Sequence, residues 1–164
     1  MPDSSLIMYE EEFRQIHAEL TRLHQQTNAK VTFLVDKNGQ LIASIGESKD
    51  LDTTSLASLT AGNIAATGGM AKLLGEKEFS ILFHEGEKDN IHISLIGQRV
   101  ILVVIFDQRS SLGLVRLRVK KSAESISQIF ERLEQKSKTE KVSKLDSKSP
   151  FAEITEEDIE KLFS

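Results

Sequence analysis

The chain has 164 residues, which is room for one ordinary domain and a tail. Its 21 basic and 25 acidic residues give a formal net charge of −4, which argues against a nucleic-acid-binding protein, because such proteins usually present a basic stripe. It has no cysteine, so disulfides and thiolate metal sites are excluded. The first residues lack the features of a signal peptide, and the longest apolar run, residues 100–106, is too short to span a bilayer. We therefore expect a cytoplasmic protein with no membrane insertion.

The first quarter of the chain predicts a helix and a hairpin. Apolar residues recur every three or four positions over residues 5–27, as in an amphipathic helix. Residues 30–36 (KVTFLVD) are rich in β-branched and apolar side chains, which is typical of a strand. Asn38-Gly39 is a strong hairpin signal, so residues 41–45 should be the return strand.

Residues 51–75 (LDTTSLASLTAGNIAATGGMAKLLG) predict the central helix of the protein. Asp52, Thr53 or Thr54 would cap its start, and Gly75 would end it in a left-handed conformation. One side of this helix has the spacing of a core stripe with one polar break: Leu56, Leu59, Asn63, Met70 and Leu73. Another side carries almost no side chains: Ser58, Ala61, Gly62, Ala65, Gly68 and Gly69.

The three internal glycines of this helix each cost roughly 1 kcal/mol relative to alanine. A helix with that handicap is expected to gain something from close approach of another backbone. Two interpretations remain open. The small residues either pack against the chain's own sheet, or they form a face for self-association or for docking of a partner.

The second half of the chain predicts three strands and a long helix. Strands are expected at 78–85, 90–96 and 99–106, where the second alternates His92 and Ser94 with apolar residues like a half-buried strand, and the third is almost wholly apolar, like a central one. Helical spacing returns over residues 112–137. The predicted order is α-β-β-α-β-β-β-α, an α+β layered sandwich with antiparallel pairing.

The remaining residues predict a tether and a short helix. Residues 137–150 are rich in Lys and Ser and are expected to form a flexible linker, because they have too few apolar side chains to order themselves. Residues 151–164 predict a short acidic amphipathic helix, too short to be stable alone. The helix either docks on another protein or is a frayed tail or flap on its own domain. Its anchors would be Phe151, Ile154, Ile159, Leu162 and Phe163.

No motif in the sequence nominates an active site. There is no phosphate-binding loop, no nucleophile elbow and no pair of histidines at metal-binding spacing, so we expect no catalytic residue, metal or cofactor. The four histidines are expected to be solvated or partly buried. Arg109 lies on a predicted loop, where a free arginine could act on another protein's phosphoryl transfer, but a surface or salt-bridged role is favoured.

Several stretches together resemble the bacterial roadblock (dynein light chain-like) family. They are residues 8–13 (MYEEEF), 33–42 (FLVDKNGQLI), 52–76 (DTTSLASLTAGNIAATGGMAKLLGE), 102–121 (LVVIFDQRSSLGLVRLRVKK) and 149–164 (SPFAEITEEDIEKLFS). The resemblance spans nearly the whole chain outside the Lys/Ser-rich linker. It implies a roadblock domain over residues 5–136, with a five-stranded antiparallel sheet between helices.

The resemblance also implies a partner. Similar proteins are homodimers, built through the central helix and an edge strand, that activate GTP hydrolysis by a Ras-like small GTPase controlling cell polarity and gliding motility. Two copies bind one GTPase and hold its own switch residues in place, without an arginine finger. The GTPase-binding face would comprise Ala61, Ala65, Gly68, Gly69 and Lys121, with Arg14, Gln15 and Lys120 as weaker rim candidates. The C-terminal helix would dock on a second GTPase surface, and the resemblance allows concentration at a cell pole.

Two other functions stay open. A roadblock dimer could serve as an adaptor that binds a GTPase or polarity partner without stimulating hydrolysis. A self-standing hydrolase is disfavoured, because no catalytic constellation is found in the sequence.

Overall fold

The computed structural model describes residues 9–47 and 49–148 and confirms the predicted order of helices and strands. The elements are α1 (Glu10–Thr27), β1 (Val31–Asp36), β2 (Leu41–Gly46), α2 (Thr53–Leu74), β3 (Ile81–Glu85), β4 (Asn90–Ile96), β5 (Val100–Phe106) and α3 (Leu112–Lys148). The five strands form one antiparallel sheet in the order β2-β1-β5-β4-β3. The five-stranded antiparallel sheet between helices is the one that the resemblance implies.

The predicted start and end signals of α2 are confirmed, whereas the predicted start of α1 is not. The Asp52 side chain accepts a hydrogen bond of 3.0 Å from the Ser55 N–H, which caps the start of α2. Gly75 ends α2 with φ +77°, a left-handed conformation that favours glycine. Helix α1 begins at Glu10, after Tyr9 in an extended conformation, so the predicted start at residue 5 was too early. Residues 5–8 lie outside the described part of the chain.

The Asn-Gly hairpin is also present. The Asp36 carboxylate accepts hydrogen bonds from the backbone N–H groups of Asn38 and Gln40, over 2.8 and 3.0 Å, and Gly39 has φ +90°. An aspartate that binds the backbone two residues on is a common stabiliser of such turns. At the opposite edge of the sheet, β3 begins at Ile81, three positions after the predicted start, because its pairing with β4 extends only that far.

The two faces of the sheet are covered by different helices. Even-numbered strand residues such as Leu34, Leu102 and Val104 pack in one core with α1 and α3. Odd-numbered residues such as Phe33 and Val103 pack on the other face with α2. This separation follows from the alternation of side chains along a strand. It places α2 and α3 on opposite sides of the sheet.

Strand β4 is more deeply buried than predicted. His92 is 1% exposed and Ser94 is 6% exposed, although the alternation with apolar residues predicts a polar, solvent-facing side. The reason is that α3 covers the face on which both side chains lie. The expectation of solvated or partly buried histidines is therefore wrong for His92, which is fully buried.

Helix α3 continues much further than predicted. The sequence predicts an end at residue 137 and a flexible linker over 137–150, but α3 runs to Lys148. The prediction considered only apolar burial, whereas Lys, Glu and Gln are good helix formers without it. Glu134 and Lys138 add an i,i+4 ion pair at 3.7 Å. The predicted C-terminal helix, residues 151–164, lies outside the described residues.

Candidate functional site

The predicted core stripe of α2 is largely on the surface. Leu59, Met70 and Leu73 are 71%, 59% and 90% exposed, which contradicts their prediction as core residues. The side of α2 that is buried carries small side chains instead: Ala57, Thr60 and Ala71. Helical periodicity identifies residues that share a face, and it does not say what covers that face. Among the described residues, nothing covers Leu59, Met70 and Leu73, whereas Leu56 is partly buried.

Small residues at the start of α2 pack within the chain. A Cβ built on Gly39 would lie 3.2 Å from the Ser58 Cα and 3.6 Å from the Ala61 Cβ. The β1–β2 turn therefore approaches α2 closely, and a small side chain at both helix positions is needed for that approach. For this part of the helix, the interpretation of packing within the chain holds.

The glycines of α2 are different. A Cβ built on Gly62, Gly68 or Gly69 would meet no atom within 4 Å outside the helix's own nearby backbone. No close approach within the protomer therefore requires glycine at these three positions. Their cost of roughly 1 kcal/mol each is not offset by packing among the described residues.

Gly68 and Gly69 line an open groove beside the second half of α2, which we call the glycine groove. It has a volume of about 500 Å³. Its lining also includes Ala61, Ala65, Ile64 and Lys72 from α2, Leu95 and Ile101 from the sheet, and Lys37, Lys77, Glu78, Phe79 and Gln98. The groove thus brings together the four small residues that were predicted as a GTPase-binding face.

The cations of the glycine groove are all lysines. Lys37, Lys72 and Lys77 line it, and none of them makes an ion pair within the described residues. Lys77 has an acidic neighbour in Glu78, which also lines the groove. The glycine groove is therefore lined by apolar and small side chains, and the charged side chains at its border are mostly positive.

A second groove, which the sequence did not predict, lies beside the first half of α2. This apolar groove has a volume of about 400 Å³ and lies between Leu56, Leu59, Thr60 and Asn63 of α2, Phe33, Ile91, Ile93, Val103 and Ile105 of the sheet, and His84 of β3. Two polar residues of this groove are in contact with each other, since the Asn63 Nδ2 lies 2.9 Å from the His84 Nε2. The polar break at Asn63 in the α2 stripe was the one sequence signal of this contact.

Exposed apolar side chains extend from α2 to the edge of the sheet. Among the described residues, nine large apolar side chains are exposed, and six belong to α2, β3 or the segment between them: Leu59, Met70, Leu73, Leu74, Phe79 and Ile81. Contiguous apolar surface of this kind marks an interaction site more often than scattered apolar residues do. Strand β3 is also an edge strand, so one side of its backbone has no neighbour in the sheet of this protomer.

Lys121 does not join the four small residues. It is exposed on α3, on the opposite side of the sheet from α2. A single protomer therefore cannot present Lys121 and Gly69 on one surface, and a role for Lys121 at a GTPase stays a prediction that this placement disfavours. The weaker rim candidates lie on the same side as Lys121, with Arg14 and Gln15 on α1 and Lys120 on α3.

Arg109 is held by two carboxylates. Its Nε donates to Asp107 Oδ1 over 3.0 Å, and its Nη1 lies 3.3 Å from Glu47 Oε1. These two partners raise the pKa of the Arg109 guanidinium, and Arg109 in turn lowers the pKa of the Asp107 carboxyl. The salt-bridged role favoured by the sequence is confirmed, since this arginine already has its partners within the chain.

The described residues contain no group of three or more His, Cys, Asp or Glu side chains that could hold a metal ion. Within the same residues, no helix is both long and apolar enough to cross a bilayer.

Comparisons with known proteins agree with this fold and with the sequence motifs. The Roadblock/LC7 domain family matches residues 16–106. Myxococcus xanthus MglB is 62% identical, with a TM-score of 0.74 over 78% of this chain and 96% of that one. The gliding protein MglB from Thermus thermophilus is 33% identical, with a TM-score of 0.74 over 78% and 97% of the two chains.

A further solved structure, an MglB with a tetrameric arrangement, is 32% identical, with a TM-score of 0.75 over 79% of this chain and 97% of that one. Among curated protein sequences, no match is found. The family match spans more than half of the chain, and the three solved structures cover most of the described domain. The chain therefore belongs to the Roadblock/LC7 family and, within it, groups with the MglB proteins.

Proposed function

We propose that this protein is a homodimeric regulator that activates GTP hydrolysis by a Ras-like small GTPase of the MglA type, and thereby controls cell polarity and motility. The observation that carries the proposal is the open glycine groove on α2. Three glycines weaken this helix, and no contact among the described residues explains them. A partner whose backbone or flat surface approaches α2 closely would explain them.

The dimer would form through α2 and the edge strand β3. A second copy seated there would cover the apolar groove and the exposed side chains of Leu59 and Ile81. Pairing of the two β3 edges would also satisfy backbone groups that one sheet leaves unpaired. Burial of apolar surface contributes about 25 cal/mol per Å², so covering several large side chains supplies a strong driving force.

The GTPase would bind the glycine groove, one GTPase to two copies of this chain. Ala61, Ala65, Gly68 and Gly69 leave space for a close approach, and the lysines at the border favour a partner with acidic side chains around its contact surface. Similarity to the MglB proteins supports a GTPase of the MglA type as that partner.

Activation would work by positioning the GTPase's own switch residues. The residues that line the glycine groove include lysines and no arginine, and Arg109 is held by Asp107 and Glu47. An arginine finger must be free to reach a partner's phosphates. These observations favour a mechanism in which the protein adds no catalytic side chain of its own and instead holds the switch residues of the GTPase in the arrangement needed for hydrolysis.

The GTPase-binding face is tested by Ala65→Arg, which places a long charged side chain in the glycine groove. We expect GTPase affinity to fall at least a hundredfold, about 2.8 kcal/mol, because the new charge fills the groove and must lose water on docking. The variant should keep its fold, since Ala65 is exposed. Gln128→Arg is the matched control, because it introduces the same side chain at an exposed position on α3.

Affinity is measured by titrating the GTP-bound GTPase at fixed ionic strength. Unchanged binding by a folded Ala65→Arg protein would show that the glycine groove is not the docking face. Equal loss in the Gln128→Arg control would show that added charge alone, rather than its place, weakens binding.

The dimer is tested by Leu59→Glu, which puts a carboxylate on the exposed stripe of α2. We expect the protein to sediment as a monomer rather than a dimer at micromolar concentration. Burying an unpaired carboxylate in the interface costs more free energy than the apolar contacts around it contribute. Leu41→Glu, an exposed apolar position on the other edge strand, is the control and should remain a dimer. A dimer of undiminished affinity in Leu59→Glu would contradict this interface.

A roadblock adaptor that binds the GTPase without stimulating hydrolysis is the alternative. The grooves described above would serve either role, and turnover by the GTPase distinguishes them. The predicted C-terminal helix would add contacts through Phe151, Ile159 and Leu162 in either case, whether it promotes hydrolysis or nucleotide exchange.

A further inference from the structure

The first half of α3 carries an exposed basic face, against which none of the described residues packs closely. Arg116, Leu117, Lys120 and Lys121 are all exposed, and Leu117 is 51% exposed. These four residues lie on one side of α3, because positions three or four apart in a helix share a face. The other side of the same turns is buried through Val115, Val119 and Ser122. We call the exposed set the α3 basic face.

The charge of the α3 basic face is not neutralised by the residues that the structure describes. No acidic residue occurs from Leu112 to Ala123, and the next one along α3 is Glu124. Within the described residues, none of its three cations makes an ion pair, whereas Arg99 and Lys136 pair with Glu134 and Glu12. A chain with a net charge of −4 thus concentrates unpaired positive charge around one exposed leucine. Such a surface fits an acidic segment with apolar side chains.

The chain itself contains a segment of that chemistry. Residues 151–164 carry five carboxylates, at Glu153, Glu156, Glu157, Asp158 and Glu160, against one lysine. Apolar residues are interleaved with them, at Phe151, Ile154, Ile159, Leu162 and Phe163. We propose that this acidic C-terminal segment of one copy binds the α3 basic face of another copy.

The length of α3 excludes the segment of the same copy. Lys121 and Lys148 are about 40 Å apart along the helix, at a rise of about 1.5 Å per residue. A fully extended chain gains about 3.4 Å per residue, so Glu153 reaches only about 17 Å back from Lys148. Even with about 10 Å of side-chain reach, only the last carboxylates of a fully stretched segment come to Lys121, and only Glu160 comes to Arg116. Without such stretching, several carboxylates can meet this face only if they come from another molecule.

The α3 basic face is separate from both α2 grooves, although the segment that would bind it is also the one proposed to add contacts to the GTPase. The α3 basic face lies on the opposite side of the sheet from α2, so a copy can bind a segment there while both α2 grooves are occupied. Each copy offers one segment and one face, and the contact as proposed links copies of different α2 dimers. It also gives Lys121 a role consistent with its place in the fold.

The test is sedimentation of the full-length protein in two charge-reversed forms. One form carries Arg116→Glu, Lys120→Glu and Lys121→Glu, and the other carries Glu156→Lys, Glu157→Lys and Asp158→Lys. We expect the unmodified protein to form species larger than those of either variant at high concentration and low salt. Each variant alone should lose these species, because it lacks one of the two surfaces.

An equimolar mixture of the two variants should recover a complex, because one supplies an intact face and the other an intact segment. Raising the salt from about 0.05 to about 0.5 M should weaken it at least tenfold, since exposed charges are screened. The matched control reverses three other exposed cations, Lys49, Lys88 and Lys138, and should sediment like the unmodified protein. All forms are first checked for unchanged helix content.

Two results would overturn the proposal. One is equal sedimentation of all forms at every concentration, with no recovery in the mixture. The other is that reversal of the α3 basic face abolishes binding to vesicles containing anionic lipid while self-association stays unchanged. The second result would assign the same cations to a membrane surface.

Discussion

His92 offers the sharpest prediction about stability, because its buried ring has no hydrogen-bond partner. The side chain is 1% exposed on β4, between Val104 and Phe83 of the neighbouring strands, and neither ring nitrogen is satisfied within the described residues. Replacing an unsatisfied buried polar side chain by an apolar one of similar size removes its desolvation penalty. We therefore expect His92→Leu to raise the free energy of unfolding by about 1–2 kcal/mol at pH 7.

The same substitution should change the pH dependence of stability. Burial lowers the pKa of His92, and the nearby charge of Arg116 lowers it further. The unfolded chain then binds a proton below about pH 6.5 that the folded protein does not bind. Stability is therefore lost as the pH falls from about 6.5 toward the folded pKa, by at most about 1.4 kcal/mol per pH unit for this one group.

The assay is urea unfolding followed by circular dichroism between pH 8 and pH 5. The His92→Leu protein should be more stable at every pH and should lose less stability on acidification. Some slope should remain, because burial also lowers the pKa of His24. His17→Leu is the control, since His17 lies against Phe13 on α1 and is not fully buried. A His92→Leu protein with an unchanged slope, or with lower stability at pH 7, would refute this reasoning.

Two other changes probe the fold. Gly46→Ala should lower the free energy of unfolding by about 3 kcal/mol or more, because Gly46 has φ +113° and an added Cβ would lie 2.5 Å from the Lys30 carbonyl oxygen. Gly75 has φ +77° but faces open space, so Gly75→Ala should cost only about 1 kcal/mol in the same denaturation assay. Lys136→Met should destabilise the protein more at pH 7 than at pH 4, because Lys136 lowers the pKa of the Glu12 carboxyl, and the buried charge that loses its cation is neutralised in acid. Equal costs for the two alanines, or a Lys136→Met effect independent of pH, would contradict the contacts described here.

The sequence predicted what depends on near neighbours in the chain. The Asp52 cap, the Gly75 stop and the Asp36-Asn38-Gly39 hairpin are set by groups within four residues of each other, and all are present. The continuous apolar run of β5 likewise identified the central strand. The order of elements followed from such signals, and the resemblance to roadblock proteins supplied a five-stranded antiparallel sheet, whereas the order of the strands in it was not predicted.

The features that the sequence did not predict depend on contacts between distant parts of the chain. The stripe through Leu59 and Met70 has the periodicity of a core face, and only the packing of α2 reveals that these two side chains are exposed among the described residues. The burial of His92 depends on α3, which follows it in the sequence. The placement of Lys121 opposite the glycine groove required the two layers of helices.

The sequence predicted some of the residues of the candidate site, but it did not predict the grooves that they line. Ala61, Ala65, Gly68 and Gly69 were named from their lack of side chains, and they do line one groove. The apolar groove that meets His84 was missed, because its walls come from α2 and four strands that are far apart in sequence. Its residues looked like an ordinary core when read along the chain.

The central claim is tested most directly by GTP hydrolysis under single-turnover conditions, with an MglA-type GTPase in the presence and absence of this protein. We predict acceleration of at least tenfold, about 1.4 kcal/mol off the barrier, and its loss in the Ala65→Arg protein but not in the Gln128→Arg control. Binding through the glycine groove without any acceleration would contradict the claim and leave an adaptor.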